Sequence, residues 1–398
     1  MPVPADGVLP ASATAGLGRR PFGFYVHVPF CQRRCGYCDF NTYTAAELGP
    51  GVSRDTYPAL AAAEVRLARR VLGAAAGPVA TVFFGGGTPT LLPAGQLGEI
   101  LRVIEGEFGL APGAEVTVEA NPESVDEASL AALREAGFTR ISLGMQSAAP
   151  HVLAVLDRVH EPGRPARCAA WAREAGFEHV SLDLIYGTPG ETDADWRESL
   201  EAALAAGPDH ISAYALIVEE GTRLAARVRR GEVGVPDDEA MADRYLAADE
   251  LLSGKGLGWY EVSNWAAGPE ARCSHNLLYW TGGHWWGVGP GAHSHVGGVR
   301  WWNVKHPAAY AARLTAGASP GLAREVLTGP ERKLEEIMLL TRLDSGCPVE
   351  VLAPAGRAAA ATAVADGLAE GGAYAAGRVV LTTRGRLLAD AVIRGLTD

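Results

Sequence analysis

Three cysteines, Cys31, Cys35 and Cys38, share one short turn in the segment YVHVPFCQRRCGYCDFNTYT. Their spacing is C-x3-C-x2-C, and no fourth cysteine stands nearby. In a reducing compartment, thiolates gathered this tightly usually hold a metal. Protein-bound four-iron clusters are normally closed by four cysteines, so a set of three leaves one iron open to a ligand that the protein does not supply. The alternative is a zinc knuckle completed by His27 or Asp39, although structural zinc usually takes paired C-x2-C or C-x2-H halves.

Other groups able to do chemistry recur at the ends of apolar runs. FFGGGTPT ends one run in Gly85, Gly86, Gly87 and Thr88. Glycines there let backbone amides approach a ligand closely, and the threonine adds a hydroxyl. VTVEANP ends another run in Glu119, a carboxylate able to accept from a ribose diol or to hold an ammonium. Gln146 closes RISLGMQS, Arg158 follows on the next helix, and Asp183 stands within SLDLIYGTPG. A charged residue in a buried strand is rarely there for stability. Taken singly, each is a satisfied polar group at a strand end. Their recurrence at the same end of successive runs points to one shared site.

The elements that must position these groups are legible as strand-like runs alternating with helical spacing. The expected strands cover residues 24–28, 79–84, 115–119, 140–144, 179–185 and 210–217. Ala/Leu/Glu/Arg stretches such as 57–72, 96–107 and 126–136 read as helices between them. Such alternation implies βαβ units on a parallel sheet. Six units are too few to close an eight-stranded barrel, so the expected class is α/β, an open partial (β/α)6 barrel over residues 21–255. Its site is expected at the carboxyl ends of the strands. Residues 1–20 are Pro/Ala/Gly-rich without periodicity and read as a disordered tail. Residues 256–320 form an aromatic, histidine-rich extension. From 321 to 398 the pattern changes: helices at 330–342 and 356–370, a strand at 378–383 beside a turn at Gly377, and a final helix at 385–395. That arrangement reads as a smaller α+β, winged-helix-like module, a lid or docking unit, because no basic helix is present.

Composition narrows the partners. A length of 398 residues suits one large and one smaller domain. A formal net charge of −11 argues against general nucleic-acid binding. The remaining cysteines, Cys168, Cys273 and Cys347, are scattered without pairing signals, which suits a reduced cytoplasmic protein. No apolar run is long enough to span a bilayer, and no signal-peptide core is evident.

The cysteine segment, GGGTPT, VEANPES, RISLGMQS, SLDLIYGTPGET, YEVSNWA and HNLLYW together resemble the radical S-adenosylmethionine (SAM) superfamily, in its branch of oxygen-independent coproporphyrinogen III oxidases and their relatives. The resemblance runs from about Phe22 to the C-terminus. It implies a [4Fe-4S] cluster on Cys31, Cys35 and Cys38, with the methionyl amine and carboxylate of SAM on the open iron. It also implies cofactor contacts by Tyr25, Tyr37, Gly86, Gly87, Thr88, Glu119, Gln146, Arg158 and Asp183, with Ala215 joining them at the sixth strand. Arg158 offers a planar fork suited to a carboxylate.

Within that branch two departures matter. True oxidases carry a further cysteine two positions after the third cluster cysteine, where this chain has Phe40. They also carry a longer ordered N-terminal segment. Both departures resemble the HemW group, regarded as heme chaperones. Seven of the nine tryptophans lie between Trp259 and Trp302, and five of the ten histidines between His275 and His306. There, HNLLYW matches the HNxxYW motif that the HemW group links to heme. The resemblance makes His275 the heme-ligand candidate, with Cys273 as a second; the aromatics as a class read as interface filling. Partners implied are heme or a porphyrin, heme-acceptor proteins, and a flavodoxin or ferredoxin as electron donor. Peripheral membrane association and a homodimer stay open. The competing readings are an oxidase that turns propionates into vinyl groups and another radical SAM porphyrin enzyme.

Overall fold

The computed structural model describes residues 1–397. Six strands carry the architecture: β1 (Phe22–Val28), β2 (Val79–Gly86), β3 (Leu110–Ala120), β4 (Arg140–Gln146), β5 (His179–Tyr186) and β6 (His210–Ala215). They pair in sequence order, all parallel. Helices Tyr57–Leu72, Ala94–Phe108, Glu127–Glu135, Arg164–Glu174 and Asp193–Ala205 lie along the crossovers. Parallel strands covered by helices read as near-continuous apolar runs, and β1 is buried at every position but Tyr25. Helix starts follow local chemistry: Asp126 and Thr192 accept from the backbone N–H groups of Ser129 and Asp195 in capping boxes.

The sheet does not stop at six strands. β7 (Gly258–Glu261) and β8 (Asn264–Ala266) add to the β6 edge. At the other edge β9 (His284–Val288) pairs parallel to β1, followed by β10 (His293–Val296), β11 (Val299–Asn303) and β12 (Gly321–Val326). The result is an open sheet of twelve strands, with β12 and β7 at its two edges. The aromatic stretch is therefore not an appendage: it completes the sheet at both ends. Trp286 and Trp301 pack edge to face, 4.9 Å between ring centres, and Trp265 is fully buried beside Tyr245.

Two expected boundaries shift. Residues 1–20 do not form a free tail. Pro2 bridges to Ala323, the Met1 amine donates to the Arg324 carbonyl at 2.8 Å, and Leu9 and Ala13 are buried. Small residues with no periodicity suit this packing because the backbones come close: a Cβ on Gly297 would stand 2.1 Å from the Ala13 carbonyl oxygen. At the other end, β12 belongs to the large sheet, so the C-terminal module starts at helix Gly329–Leu340 rather than at residue 321. The module has its own core, including Ile337, Cys347, Leu352, Ala360, Val379 and Leu396. Its expected strand at 378–383 shortens to Arg378–Val379, paired antiparallel with Cys347–Pro348. Among the described residues, no helix is long and apolar enough to cross a membrane.

Candidate cofactor site

A cavity of about 550 Å³ opens at the carboxyl ends of the six parallel strands. Cys31, Cys35 and Cys38 line it together with Tyr25 and Tyr37. Gly86, Gly87, Thr88 and Glu119 bring in β2 and β3, and Gln146, Arg158, Asp183 and Ala215 bring in the next three strands. His275 lies in the same wall. The structure thus brings into one cavity the three cysteines, His275 and all ten residues that the family resemblance implies as cofactor contacts.

The cysteine loop follows β1 and is held by Cys31 N–H on the Tyr43 carbonyl (3.0 Å) and Gly36 N–H on Leu156 (3.4 Å). Burial pushes the Cys31 thiol up and the Cys38 thiol up to about 12. Arg158 donates to Cys35 Sγ at 3.6 Å, to Asn121 Oδ1 at 2.8 Å and to the Gly144 carbonyl at 2.9 Å. Arg158 thus braces the cysteine loop through its two terminal nitrogens, while its Nε has no partner among the described residues. His27 is not available to complete a zinc knuckle. Its Nε2 donates to the Asn41 carbonyl at 2.9 Å and its Nδ1 accepts from the Tyr25 hydroxyl at 3.0 Å.

The glycine run acts differently from its sequence reading. Its amides face protein: Gly86 N–H donates to Glu119 Oε2 (3.1 Å), Gly87 N–H to the Val28 carbonyl (2.8 Å) and Thr88 N–H to the Phe30 carbonyl (2.7 Å). The glycines are needed because the cysteine loop lies directly on them. A Cβ on Gly87 would stand 2.4 Å from the Phe30 carbonyl oxygen, and Gly86 has φ +106° with the His27 ring 2.5 Å from any Cβ. Gly87→Ala is therefore expected to displace the cysteine loop and cut iron per chain after reconstitution by roughly tenfold, the scale of losses when a supporting shell is disturbed. Iron and sulfide analysis checks this, and wild-type loading would contradict it.

Glu119 and Asp183 are half-buried acids facing the cavity, and neither forms an ion pair among the described residues. Burial raises Glu119 to about 7, with Asp183 adding to the rise and the Gly86 amide opposing it. Asp183 is also raised by burial, against the Ser142 hydroxyl that donates to its two oxygens at 2.8 and 2.9 Å. Neighbouring carboxylates without an ion-pair partner suit a ligand bearing an ammonium, a sulfonium or a ribose diol. Gln146 holds φ +64° at the end of β4, and Gly144 leaves room for its amide, which a Cβ would meet at 2.9 Å. A strained residue at a strand end is where ligand contacts concentrate.

A stability consequence follows from Glu119. Its folded value lies above the unfolded one, so its contribution is full below the unfolded carboxylate range and is lost as pH rises through about 7. The cluster-free protein should therefore be less stable at pH 8 than at pH 5.5, by about 1–3 kcal/mol from this group. Glu119→Gln should flatten that part of the slope in urea unfolding; an unchanged slope would contradict the assignment.

His275 presents no free ring nitrogen. Nδ1 hydrogen-bonds with the Thr81 hydroxyl and Nε2 with the Tyr279 hydroxyl, each at 2.8 Å. Burial lowers its pKa to about 3, and its ring stacks on Phe83. Cys273 is equally enclosed, its thiol 3.6 Å from Glu115 Oε1. As the chain is folded here, both ring nitrogens of His275 and the thiol of Cys273 are engaged by protein groups. The HNLLYW segment instead forms helix Ser274–Trp280, whose first amides, those of Ser274 and His275, both donate to the Glu115 carboxylate at 3.0 Å. Asn276 reaches Glu261 at 3.4 Å. Polar residues that sequence reasoning missed hold this assembly: Glu115, buried Arg140 3.6 Å from it, Ser142 beneath Asp183, and Asn121 between Thr88 and Arg158. The signal was present as charged and polar residues inside strands; their partners lie up to 160 residues away.

Comparison with known proteins decides the lineage. The sequence profile of the Radical SAM superfamily matches residues 25–203. The heme chaperone HemW of Mycobacterium tuberculosis is 53% identical over 99% of this chain and 98% of its own. The chain belongs to the HemW group of the radical SAM superfamily. HemW of Bacillus subtilis is 34% identical, over 81% of this chain and 83% of its own. Among solved structures, coproporphyrinogen III oxidase (HemN) from Escherichia coli superposes with a TM-score of 0.81, at 20% identity, over 99% of this chain and 94% of that one. That likeness extends the shared fold through the C-terminal module. For a HemW-group chain, the superfamily implies a [4Fe-4S] cluster and SAM, and the donor set fits both: three thiols in one loop, one of them against a guanidinium, beside two half-buried carboxylates with no ion-pair partner.

Proposed function

We propose that this protein is a heme chaperone that binds heme, holds it beside a radical SAM core and passes it to acceptor proteins. The observation that carries the reading is the 53% identity across essentially the whole chain to a protein named as a heme chaperone. In this reading Cys31, Cys35 and Cys38 hold the cluster, while Glu119, Gln146 and Asp183 bind the ribose and cationic parts of SAM, with Tyr25, Tyr37, Thr88 and Ala215 shaping the pocket. When bound, the cluster and SAM together supply one-electron chemistry; the chain supplies orientation, charge and exclusion of water. The electron donor is a flavodoxin or ferredoxin. Phe40, 59% exposed, stands at the cavity mouth where the oxidases carry a further cysteine.

Anaerobic incubation of the reconstituted, reduced protein with SAM and coproporphyrinogen III tests the choice against an oxidase. No decarboxylation is expected. Conversion to protoporphyrinogen would overturn the chaperone reading.

A further inference from the structure

A second cavity, about 700 Å³, shares Tyr279 with the first. Three parts of the chain wall it: the N-terminal segment through Arg19 and Arg20, the β9–β11 layer through Trp285 and Arg300, and helix Gly329–Leu340 through Arg332 and Lys333. In a chain of net charge −11, its wall carries five cations against only Glu335 and Glu336. Arg300 pairs with Glu325 and Glu335, and Lys333 with Glu336. Arg19, Arg20 and Arg332 have no carboxylate partner among the described residues.

Two of those guanidiniums are fixed without being neutralised. Arg20 donates to the carbonyls of Thr281 (3.2 Å) and Gly282 (2.8 Å), and Arg332 Nε donates to the Leu327 carbonyl (3.2 Å). Carbonyl anchors hold the forks in place and leave their charge for an anion. Between them stands flat aromatic surface: Tyr279 packs edge-on against Trp285, 4.5 Å between centres, and Trp285 lies 5.1 Å from His295. Trp280, the last residue of HNLLYW, lines the same space. Cations at the rim and aromatic faces within are the complement of a large flat molecule bearing carboxylates, and the volume falls in the range of sites for ligands of that size.

We propose that this second cavity is the tetrapyrrole site, with carboxylates on Arg19, Arg20 and Arg332 and the ring against Trp285 and Tyr279. The assignment of heme as the occupant rests on the chaperone reading above; the anionic, planar chemistry rests on the cavity itself. HNLLYW is then the partition between two sites, its His275 end facing the SAM cavity and its Trp280 end facing the tetrapyrrole. His295 offers no free ring nitrogen to iron. The ring nitrogens of His295 are engaged by the Gly283 carbonyl (3.0 Å) and the Gly298 amide (3.2 Å), and His284 Nδ1 accepts from Gly297 (3.3 Å).

The test is a Soret titration of the full-length, cluster-loaded protein with hemin, protoporphyrin IX and protoporphyrin IX dimethyl ester. Hemin and protoporphyrin IX should bind, and the ester should bind at least about tenfold more weakly, as loss of charge-assisted hydrogen bonds requires. The double variant Arg19→Glu/Arg332→Glu should weaken both acids by about tenfold or more while cluster absorption and SAM binding stay at wild-type levels. Equal affinity for acid and ester, or wild-type hemin affinity in the double variant, would overturn this location. Failure of the wild-type protein to bind hemin at all would overturn the heme reading itself, a distinct outcome.

Discussion

Cys31→Ser is expected to reduce the visible iron–sulfur absorption of anaerobically reconstituted protein to background. Cys31 sits where β1 gives way to the cluster loop, pinned by its amide on Tyr43, so the loop has no slack with which to recruit another ligand. The scattered cysteines cannot substitute: Cys168 and Cys347 are buried elsewhere, and Cys273 lies against Glu115 at the foot of helix Ser274–Trp280. Serine is a poor ligand for iron at neutral pH because its hydroxyl stays protonated, whereas the thiol is deprotonated on binding. The variant should keep the far-ultraviolet circular dichroism of the cluster-free wild type, since one sulfur in a loop is no part of the sheet core. Full absorption in Cys31→Ser would exclude the ligand set.

Glu115→Ala is expected to lower stability by about 3–5 kcal/mol, the cost of stranding a buried charge together with the loss of a helix cap. Glu115 stands 3.6 Å from Arg140, which is 1% exposed and carries an unpartnered Nη2. Its carboxylate also receives the first two amides of helix Ser274–Trp280. Removing it leaves Arg140 charged and uncompensated and frees the N-terminus of the helix that walls both cavities. Glu115→Gln, which keeps an acceptor for the amides, should cost less than Glu115→Ala. Urea unfolding measures both, and a loss under about 1 kcal/mol in Glu115→Ala would mean that pair and cap contribute little.

These two residues mark what could and could not be read from the chain. Cys31, Cys35 and Cys38 declare themselves by local spacing, and the parallel strands by apolar runs between helical stretches, because both signals act over a few residues. Glu119, Gln146 and Asp183 are legible through their recurrence at strand ends, which a βαβ repeat converts into one cavity. Glu115 and Arg140 give no such signal, because their meaning depends on Ser274 and His275, more than 130 residues further on. The first twenty residues mislead for a related reason. Alanine and glycine carry no amphipathic pattern, yet Ala13 fits where Gly297 brings the two backbones together. His275 is singled out only by the HNLLYW motif, and nothing local announces that Thr81 and Tyr279, one distant and one a helical turn away, engage both its ring nitrogens.

The arrangement as a whole places a cluster-and-SAM cavity and a cation-rimmed aromatic cavity on either side of one short helix, with Tyr279 common to both. In the proposed reading, this arrangement holds a tetrapyrrole beside a redox centre. The function proposed for it is delivery of heme. The direct measurement is transfer from the hemin-loaded, cluster-containing protein to an excess of an apo-form heme enzyme, followed by separating the two and recording their Soret bands. The band is predicted to move to the acceptor with recovery of its activity, faster than from hemin held by serum albumin. A band that stays on the donor, or transfer no faster than from albumin, would contradict the account.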